Sequence, residues 1–335
     1  MPTVSSVASL IAALKTASVG AVITLAPGDY SDVVIKGVEA HQVTITGPGA
    51  VIHDLTLQGS SGITFRGLEF STVRAAIGQF GARQSRMFNL RDDHDITFID
   101  LKVHGDATGT LQTDVSGFMV TSSPHTTFSH NDFSHLHAAV IDDSSDHFTF
   151  TGNTCHDNRD DCVDNAGSSW VTITNNSCYS NHPDGLLDKD HPDCIQFWTN
   201  QRPILQHDID IEGNTYRRGT GNATQFIFMR ANYPAPFNLP FTNVTIKHNI
   251  AEGSQLNGIV IAVGDKVDIE DNKIVAYCSP PINAKAWIHA MQVKGLTMKN
   301  NSAAHFSTIG SAVVADDKNV VTGCKDPTKR DKDKT

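Results

Sequence analysis

The segment VTITNNSC (171–178) decides the fold, because the same pattern recurs along most of the chain. Two apolar residues flank a threonine or another polar residue, and an asparagine and a further apolar residue follow at fixed distances. The other copies are TTFSHNDF (126–133), FTFTGNTC (148–155), IDIEGNTY (209–216), VTIKHNIA (244–251), VDIEDNKI (267–274) and LTMKNNSA (296–303), with leucine replacing asparagine in ITFRGLEF (63–70) and ITFIDLKV (96–103). Their starts lie 22 to 38 residues apart, which is typical of a solenoid with insertions on some coils.

Each copy alternates apolar and polar residues and then turns, as a short strand does when it ends in a bend. Asparagines in register on neighbouring coils can hydrogen-bond along a ladder and satisfy the backbone at a tight corner. The sequence predicts such a ladder from Asn131, Asn153, Asn176, Asn214, Asn249, Asn272 and Asn301.

A second family of apolar strands lies further along several coils. Its members are GFMVT (117–121), AVIDD (139–143), CVDNA (162–166), CIQFW (194–198), FIFMR (226–230) and GIVIA (258–262). Two or three short parallel strands in each coil predict an all-β protein, a right-handed parallel β-helix solenoid of about 10–12 coils.

The composition agrees with this fold and excludes other classes of protein. Of the 36 acidic residues 31 are aspartate, which favours turns and caps, so a helical bundle is excluded. No apolar run reaches the roughly 18 residues of a membrane span, and the net charge of −10 argues against a general nucleic-acid binder. We expect no membrane and no nucleic-acid partner, while monomer and trimer both stay open.

Residues 1–20 are predicted to form a short N-terminal capping helix over the open edge of the first coil. Ser5 or Ser6 is the expected N-cap. The apolar face of the helix carries Val7, Leu10, Ile11 and Leu14. Residues 21–324 are predicted to form the β-helix, and residues 325–335, which are charged, a disordered tail.

Several aspartates lie in or just before neighbouring strands of the second family. Asp164 falls beside Gln196, and Asp161 beside Asp193, at the same offset of 32 residues. Period-two alternation turns Asp164, Gln196 and Trp198 outward.

Four carboxylates would therefore crowd into one patch, because neighbouring coils lie about 4.8 Å apart. They are Asp160, Asp161, Asp164 and Asp193. Like charges at such distances raise one another's pKa or recruit a cation, so we favour a functional site over simple turn capping. Turn capping is our interpretation of Asp142, Asp143, Asp316 and Asp317.

The segment NHPDGLLDKDHPDCIQFW (181–198) adds further candidates. Lys189 and His191 are candidate bases, with an ordinary solvated side chain as the alternative for each. Gln196 and an exposed Trp198 would suit a sugar ring, which needs an apolar platform and polar flanks. Packing of Trp198 beneath the following loop is the equal alternative.

Two arginines, Arg91 and Arg230, fall on outward positions of flanking coils. A guanidinium can bind the carboxylate of a uronate bidentately. We predict substrate binding for Arg91 and substrate binding or base catalysis for Arg230, with surface salt bridges as the equal alternative.

Cysteines and most histidines are assigned structural roles. The six cysteines include no CxxC pair, which excludes a zinc ribbon and a disulfide-dense mini-domain. We expect stacking as small apolar residues for Cys155 with Cys178 and for Cys162 with Cys194. Surface or packing roles are expected for His125, His130, His135 and His137, which lack a recognisable metal-ligand spacing.

The stretch DDCVDNAGSSWVTITNNSC (160–178) resembles the pectate-lyase-like parallel β-helix superfamily. It is similar to a pectate lyase segment of the form D-G-x-x-D followed by V-T-I-S-x-N, which implies calcium-binding acids at Asp160 and Asp164. DDCV (160–163) is also similar to the D-D-C-[IV] element of polygalacturonase-type hydrolases, which implies catalytic roles for Asp160 and Asp161. The R-x-P-x-x-R element of the lyases and the G-H-G and R-x-K elements of the hydrolases are absent. Alginate epimerases and phage tailspike depolymerases share the fold.

Three functions are compatible with these residues. In a polysaccharide lyase, Ca²⁺ would neutralise a uronate carboxylate and acidify C5 for a base. The expected calcium ligands are Asp160, Asp164 and Asp193, and the candidate bases are Lys189, His191 and Arg230. In a glycoside hydrolase, acid and base or nucleophile would be two of Asp161, Asp164 and Asp193. The third class comprises a uronan epimerase and a non-catalytic carbohydrate-binding shaft.

We predict a polysaccharide-degrading enzyme that acts on an acidic glycan, with metal-assisted β-elimination ranked slightly before hydrolysis. Loop-rich coils at 181–208 and 217–243 argue against a bare shaft, because such insertions usually wall a groove. Action outside the cell is expected, although residues 1–20 show neither the basic region nor the apolar core of a secretion signal.

Overall fold

The structure, a computed structural model, describes residues 3–73, 86–108, 115–183, 192–199, 204–231, 239–278 and 286–325. Within these ranges short strands follow one another around a coil, and each pairs in parallel with the strand at the same position of the next coil. The pairing produces three stacks, which we call sheets A, B and C in the order in which each coil passes through them. The chain therefore forms the parallel β-helix that the repeat predicts.

Sheet A contains Val33–Lys36, Leu55–Gln58, Arg86–Arg91, Ser116–Thr121, Val140–Asp143, Val163–Ala166, Asp193–Trp198, Gln225–Arg230, the first halves of Asn257–Glu270 and Trp287–Lys299, and His305–Ser307. Sheet B contains Thr3–Val4, Val22–Leu25, Glu39–Thr46, Ser61–Arg66, His94–Ile99, Thr127–Ser129, Thr149–Thr151, Val171–Thr174, His207–Glu212, Phe241–Lys247, the second halves of the two long strands, and Ala312–Asp317. Sheet C contains Gly28–Tyr30, Ala50–Ile52, Glu69–Ser71, Lys102–His104, Asp132–Ser134, Thr154–His156, Ser177–Tyr179, Thr215–Arg217, Ile250–Glu252, Lys273–Val275, Ser302–Ala303 and Val320–Val321.

The core lies inside the coils, where alternate residues of every strand point inward. Like side chains meet there because the register repeats from coil to coil. Phe65, Phe98 and Phe128 stack with ring centroids 5.1 and 4.9 Å apart. Removing one such ring from water stabilises the fold by about 1.5–3 kcal/mol.

The asparagine ladder forms at the corner between sheets B and C, as predicted. Asn153 is typical: its Nδ2 donates to Oδ1 of Asn176 at 3.2 Å and to the carbonyl of Phe128 at 3.0 Å. The ladder runs from Asn131 to Asn301 and continues to Asn319, which the repeat did not include. The backbone at this corner is thereby satisfied inside the core.

A second ladder, which was not predicted, occupies the corner between sheets A and B. Along it, a backbone amide of one coil donates to a serine hydroxyl of the next coil. The amide of Asp93 donates to Ser123 at 3.1 Å, that of Ser123 to Ser145 at 2.9 Å, and that of Ser145 to Ser168 at 2.7 Å. Burial raises the pKa of Asp93 to about 6.

An α-helix, Val7–Thr16, covers the first coil. Ser6 is its N-cap, and Leu10 and Leu14 are buried against the coil. The strand Thr3–Val4 precedes the helix and already pairs with sheet B. The boundaries at residues 20 and 324 stay predictions, and residues 326–335 lie outside the described chain.

In the part of the chain that the structure describes, no helix is long and apolar enough to cross a membrane.

Candidate active site

Sheet A brings the predicted acidic residues together. Asp164 on Val163–Ala166 is the register partner of Gln196 on Asp193–Trp198, and Ala166 is the partner of Trp198. These are the pairings that the 32-residue offset predicts, and the outward direction of these side chains follows from the same alternation.

Asp161 lies two residues before Val163–Ala166, Asp193 begins Asp193–Trp198, and the two residues contact each other. The amide nitrogen of Asp193 donates to Oδ1 of Asp161 at 2.7 Å. The two residues are only 4% and 0% exposed. Burial is the main cause that raises the pKa of both carboxyl groups well above the usual range, and the neighbouring Asp160 and Asp164 raise both further. The predicted crowding of four carboxylates is confirmed.

Two side chains donate hydrogen bonds to two further carboxylate oxygens of the cluster. Gln196 Nε2 donates to Oδ2 of Asp193 at 2.6 Å, and Trp198 Nε1 donates to Oδ1 of Asp164. Trp198 is half-buried, and its carbonyl accepts from Gln206 at 2.9 Å. Its indole therefore fixes Asp164 and leaves only part of the ring for a ligand.

His137 belongs to this site, although the sequence analysis assigned it to surface or packing. Its Nε2 lies 3.5 Å from Oδ2 of Asp160, and its Nδ1 lies 3.2 Å from the hydroxyl of Ser116. His137 precedes Val140 by three residues, as Asp160 precedes its partner Val163. The offset of 23 residues between these two coils predicts that His137 lies beside Asp160, so the contact could have been inferred from the sequence.

The polar row continues across later coils. Gln225, the register partner of Asp193, hydrogen-bonds to its carboxylate. Asn257 Nδ2 donates to Oε1 of Gln225, and Trp287 Nε1 donates to Oδ1 of Asn257 at 2.7 Å. An ordered series of donors and acceptors thus extends from the aspartates along sheet A, and the sequence analysis did not identify it.

The two predicted arginines lie far apart in one outward row. Arg230 is exposed and is the register partner of Trp198. Arg91 is also exposed, and the same row places it four coils before Trp198, about 19 Å away at 4.8 Å per coil. Arg230 adjoins the acidic cluster, whereas Arg91 does not.

The acidic cluster does not by itself form a calcium site. Calcium takes six to eight oxygen ligands, whereas Asp164 and Asp193 each give one oxygen to a protein donor. Within the described ranges, no three His, Cys, Asp or Glu side chains are grouped so as to hold a metal ion. Calcium binding by Asp160, Asp164 and Asp193 therefore stays a prediction, and Lys189 and His191 lie outside the described residues.

The cysteines form disulfides, so the expectation that they only stack as apolar residues is wrong. The bonds are Cys155–Cys162, Cys178–Cys194 and Cys278–Cys324. Cys155 and Cys178 are indeed register partners. Each, however, also meets a cysteine across the corner between sheets C and A, a contact that the period of the repeat does not show.

These bonds bear directly on the acidic cluster. Cys162 follows Asp161 and Cys194 follows Asp193, so each disulfide ties the backbone beside one aspartate to sheet C.

The interpretation of Asp142 as a turn cap is wrong, because the structure places this residue within the strand Val140–Asp143. Turn capping stays a prediction for Asp143 and Asp317, each the last residue of its strand, and for Asp316, whose Oδ1 accepts from Asn319 Nδ2 across the following turn. Asp142 faces the core, where Oδ2 accepts from Asn165 Nδ2 and from Ser168 Oγ, both at 2.6 Å. Burial raises its pKa well above the usual range.

Comparison with known proteins identifies the fold. A family model described as "Right handed beta helix region" matches residues 86–230. The mannuronan C-5 epimerase AlgE6 A-module of Azotobacter vinelandii is 12% identical, with a TM-score of 0.58 over 96% of this chain and 94% of that chain. A PL6 family polysaccharide lyase of Pseudopedobacter saltans is 13% identical, with a TM-score of 0.55 over 93% and 77% of the two chains.

A third similar structure is the surface adhesin PfbA of Streptococcus pneumoniae, which is 11% identical with a TM-score of 0.53 over 91% and 88% of the two chains. No curated protein sequence matches the chain significantly. These likenesses confirm the predicted right-handed parallel β-helix.

Proposed function

We propose that this β-helix protein is an enzyme that cleaves a polysaccharide by acid–base catalysis at the acidic cluster of sheet A. One observation carries the proposal: two buried carboxyl groups, Asp161 and Asp193, meet on neighbouring coils and have raised pKa values. A carboxyl group of raised pKa keeps its proton to a higher pH than a solvated one does, which suits it to act as a general acid.

Hydrolysis requires a second carboxylate beside the acid. The acid donates its proton to the glycosidic oxygen, and the base accepts a proton from the water that adds to the anomeric carbon. Asp160 is the best candidate base, because its side chain is 17% exposed and so reaches the surface from which water enters. Asp164 is the alternative base, although its Oδ1 already accepts from Trp198.

The surroundings of the cluster favour a glycan as substrate. Trp198 offers part of an indole ring, and Gln225 and Asn257 continue the polar row, a combination suited to sugar rings and hydroxyls. The exposed Arg230 beside Trp198 supplies a bidentate partner for a uronate carboxylate. We therefore propose an acidic polysaccharide; the similar epimerase is named for mannuronan and the similar lyase for a polysaccharide.

β-Elimination is the second candidate, and Arg230 is the residue that favours it. A guanidinium at the edge of the cluster can neutralise a uronate carboxylate, which acidifies C5 without a metal. The calcium-assisted form of this reaction depends on residues that the structure does not group for a metal. Hydrolysis ranks first for that reason.

The three disulfides support an extracellular or periplasmic enzyme. Disulfides persist in oxidising compartments and are rare in the cytosol. Soluble polysaccharides are substrates in the same compartments, so location and substrate agree.

The test is a paired assay on a panel of uronans and neutral glycans, with calcium and with a chelator. Reducing ends and the ultraviolet absorbance of unsaturated uronates are measured on the same samples. Reducing ends without absorbance support hydrolysis, and absorbance supports elimination. Absence of both signals with every glycan would overturn the proposal in favour of an epimerase or a binding shaft.

A further inference from the structure

An aromatic stripe runs along the outside of the corner between sheets A and B. His125, His147 and Trp170 occupy the same corner position on consecutive coils, and their rings stack with centroids 4.5 and 4.8 Å apart, both at interplanar angles of 7°. His207, on the next coil, lies against the indole at an angle of 82° with a centroid distance of 4.6 Å. Rings on both sides therefore hold the indole of Trp170 in one orientation.

Trp170 is exposed at a position where the fold does not require tryptophan. It is 44% exposed, whereas the other two tryptophans, Trp198 and Trp287, are half-buried. Its φ of 55° lies in the left-handed region, which a bulky residue rarely adopts. The same corner position on the following coils carries Asp208 and Asn243, types that accept this conformation readily. Folding alone does not account for an exposed indole here.

A groove on the outside of sheet B begins at this indole. It has a volume of about 460 Å³, and polar side chains line it beside the aromatic stripe. Thr149, Thr172 and Asp210 are register partners, so hydroxyls and a carboxylate follow one another at intervals of about 4.8 Å. Within the described ranges these three side chains make no hydrogen bond to the protein. They are thus available to a ligand.

The charge of the groove favours a neutral ligand. Asp208 and Asp210 both line it, and their carboxylates repel an anion such as a uronate. Lys247, the cation that acts on Asp210, is itself paired with Glu270 at 3.1 Å. A carboxylate accepts hydrogen bonds from sugar hydroxyls, and an indole packs against the apolar face of a sugar ring.

We propose that this groove is a second carbohydrate-binding site, which binds a neutral sugar unit of a glycan chain. The apolar face of the sugar packs on the exposed part of Trp170, and its hydroxyls hydrogen-bond to Asp210 and Thr172. All residues that line the groove belong to sheet B or to the corner before it, whereas the acidic cluster lies on sheet A. The site is therefore separate from the proposed cleavage site and does not depend on its chemistry.

The proposal is tested by affinity electrophoresis of the full chain in native gels that contain a β-glucan, a xylan or a mannan, with pectate and alginate as acidic comparisons. We expect at least one of the neutral polysaccharides to retard the wild type. Trp170→Asn should lower the affinity for that polysaccharide by about tenfold or more, because the aromatic platform is lost. Asparagine already occupies the same corner position as Asn243, so the variant should fold, which circular dichroism checks.

A second pair of variants tests the polar side of the groove. Asp210→Asn should also weaken binding of the neutral polysaccharide, because an amide replaces the charged acceptor. Asp268→Asn is the matched control: it lies in the same outward row of sheet B, two coils beyond Asp210, and should bind as the wild type does.

Three outcomes would overturn the proposal. One is that no neutral polysaccharide retards the wild type, or that the wild type, Trp170→Asn and Asp210→Asn are retarded equally. Another is binding that is lost in Asp161→Asn but kept in Trp170→Asn, because it would then belong to the acidic cluster. The third is Trp170-dependent retardation by pectate or alginate that exceeds retardation by every neutral polysaccharide. None of these readouts requires cleavage, so the proposed catalytic function can fail while this site is confirmed.

Discussion

The amide nitrogen of Asp193 donates a hydrogen bond of 2.7 Å to the carboxylate of Asp161, although 32 residues separate the two in the sequence. The contact exists because one coil of the solenoid returns the chain to a position directly above the previous one. It places two carboxyl groups in a buried environment that disfavours the charge of either. A solenoid of small repeats can thus bring together two acidic residues whose pKa values are strongly raised.

Asp161→Asn and Asp193→Asn should each lower polysaccharide cleavage by about 10²–10⁴-fold, the usual contribution of a general acid or base. Both substitutions preserve shape and remove a buried ionisable group, so the fold should persist. Initial rates and circular dichroism measure the two effects. Asp268→Asn on sheet B is the matched control and should keep full activity. If both site variants turn over at the wild-type rate, the catalytic role of the cluster is wrong.

Asp142→Asn should raise the free energy of unfolding at pH 7. Because burial raises the pKa of Asp142 in the folded state, the folded chain holds this proton more tightly than the unfolded chain. Stability from this group is therefore greatest at low pH and is lost as pH rises through the folded pKa. Asparagine is neutral at every pH, so its advantage over the wild type should vanish below about pH 3.9, the usual aspartate pKa.

Asp142→Ala provides the contrast in the same denaturant titration. Alanine removes the acceptor of Asn165 and Ser168 and should cost about 1–3 kcal/mol for the donors left unpaired. An asparagine variant that is as unstable as the alanine variant at pH 7 would contradict the raised pKa.

His156 should stabilise the fold only while it is protonated. Hydrogen bonds to Asp132 and Asp157 raise its pKa to about 9, and the contacts measure 3.0 and 2.7 Å. This contribution is fully present below about pH 6.5, the unfolded value, and is lost as pH rises through 9. The midpoint of thermal unfolding of His156→Gln should lie below the wild-type value at pH 6 and approach it at pH 10. An equal difference at both pH values would refute this ion-pair role.

Replacing Cys178 and Cys194 by serine should lower the free energy of unfolding by about 3 kcal/mol, as expected for a bond that closes a loop of this length. The sequence separation is 16 residues, compared with 7 for Cys155 and Cys162. Replacing Cys155 and Cys162 by serine should therefore lower the free energy of unfolding by less. Denaturant unfolding of both variants and of the wild type measures the two losses of stability. A larger loss for Cys155 and Cys162 would show that loop closure is not the main source of the stabilisation.

Periodicity made much of the molecule predictable from its sequence. The asparagine repeat indicated strands that end in a common corner, and the ladder from Asn131 to Asn301 forms as expected. The offset between coils also gave the pairing of Asp164 with Gln196. Both succeed because parallel strands in register convert a constant spacing in sequence into a neighbour in space.

The sequence by itself thus determined the β-helix, the register of sheet A and the position of the acidic cluster. The contact of His137 with Asp160 follows the 23-residue offset between coils, although the sequence analysis did not identify it. Only the tertiary structure showed that Cys162 and Cys194 are bonded across the corner to sheet C. The physical reason is that alternation fixes side-chain direction along a straight strand, whereas at a corner the backbone turns and direction depends on what packs across it.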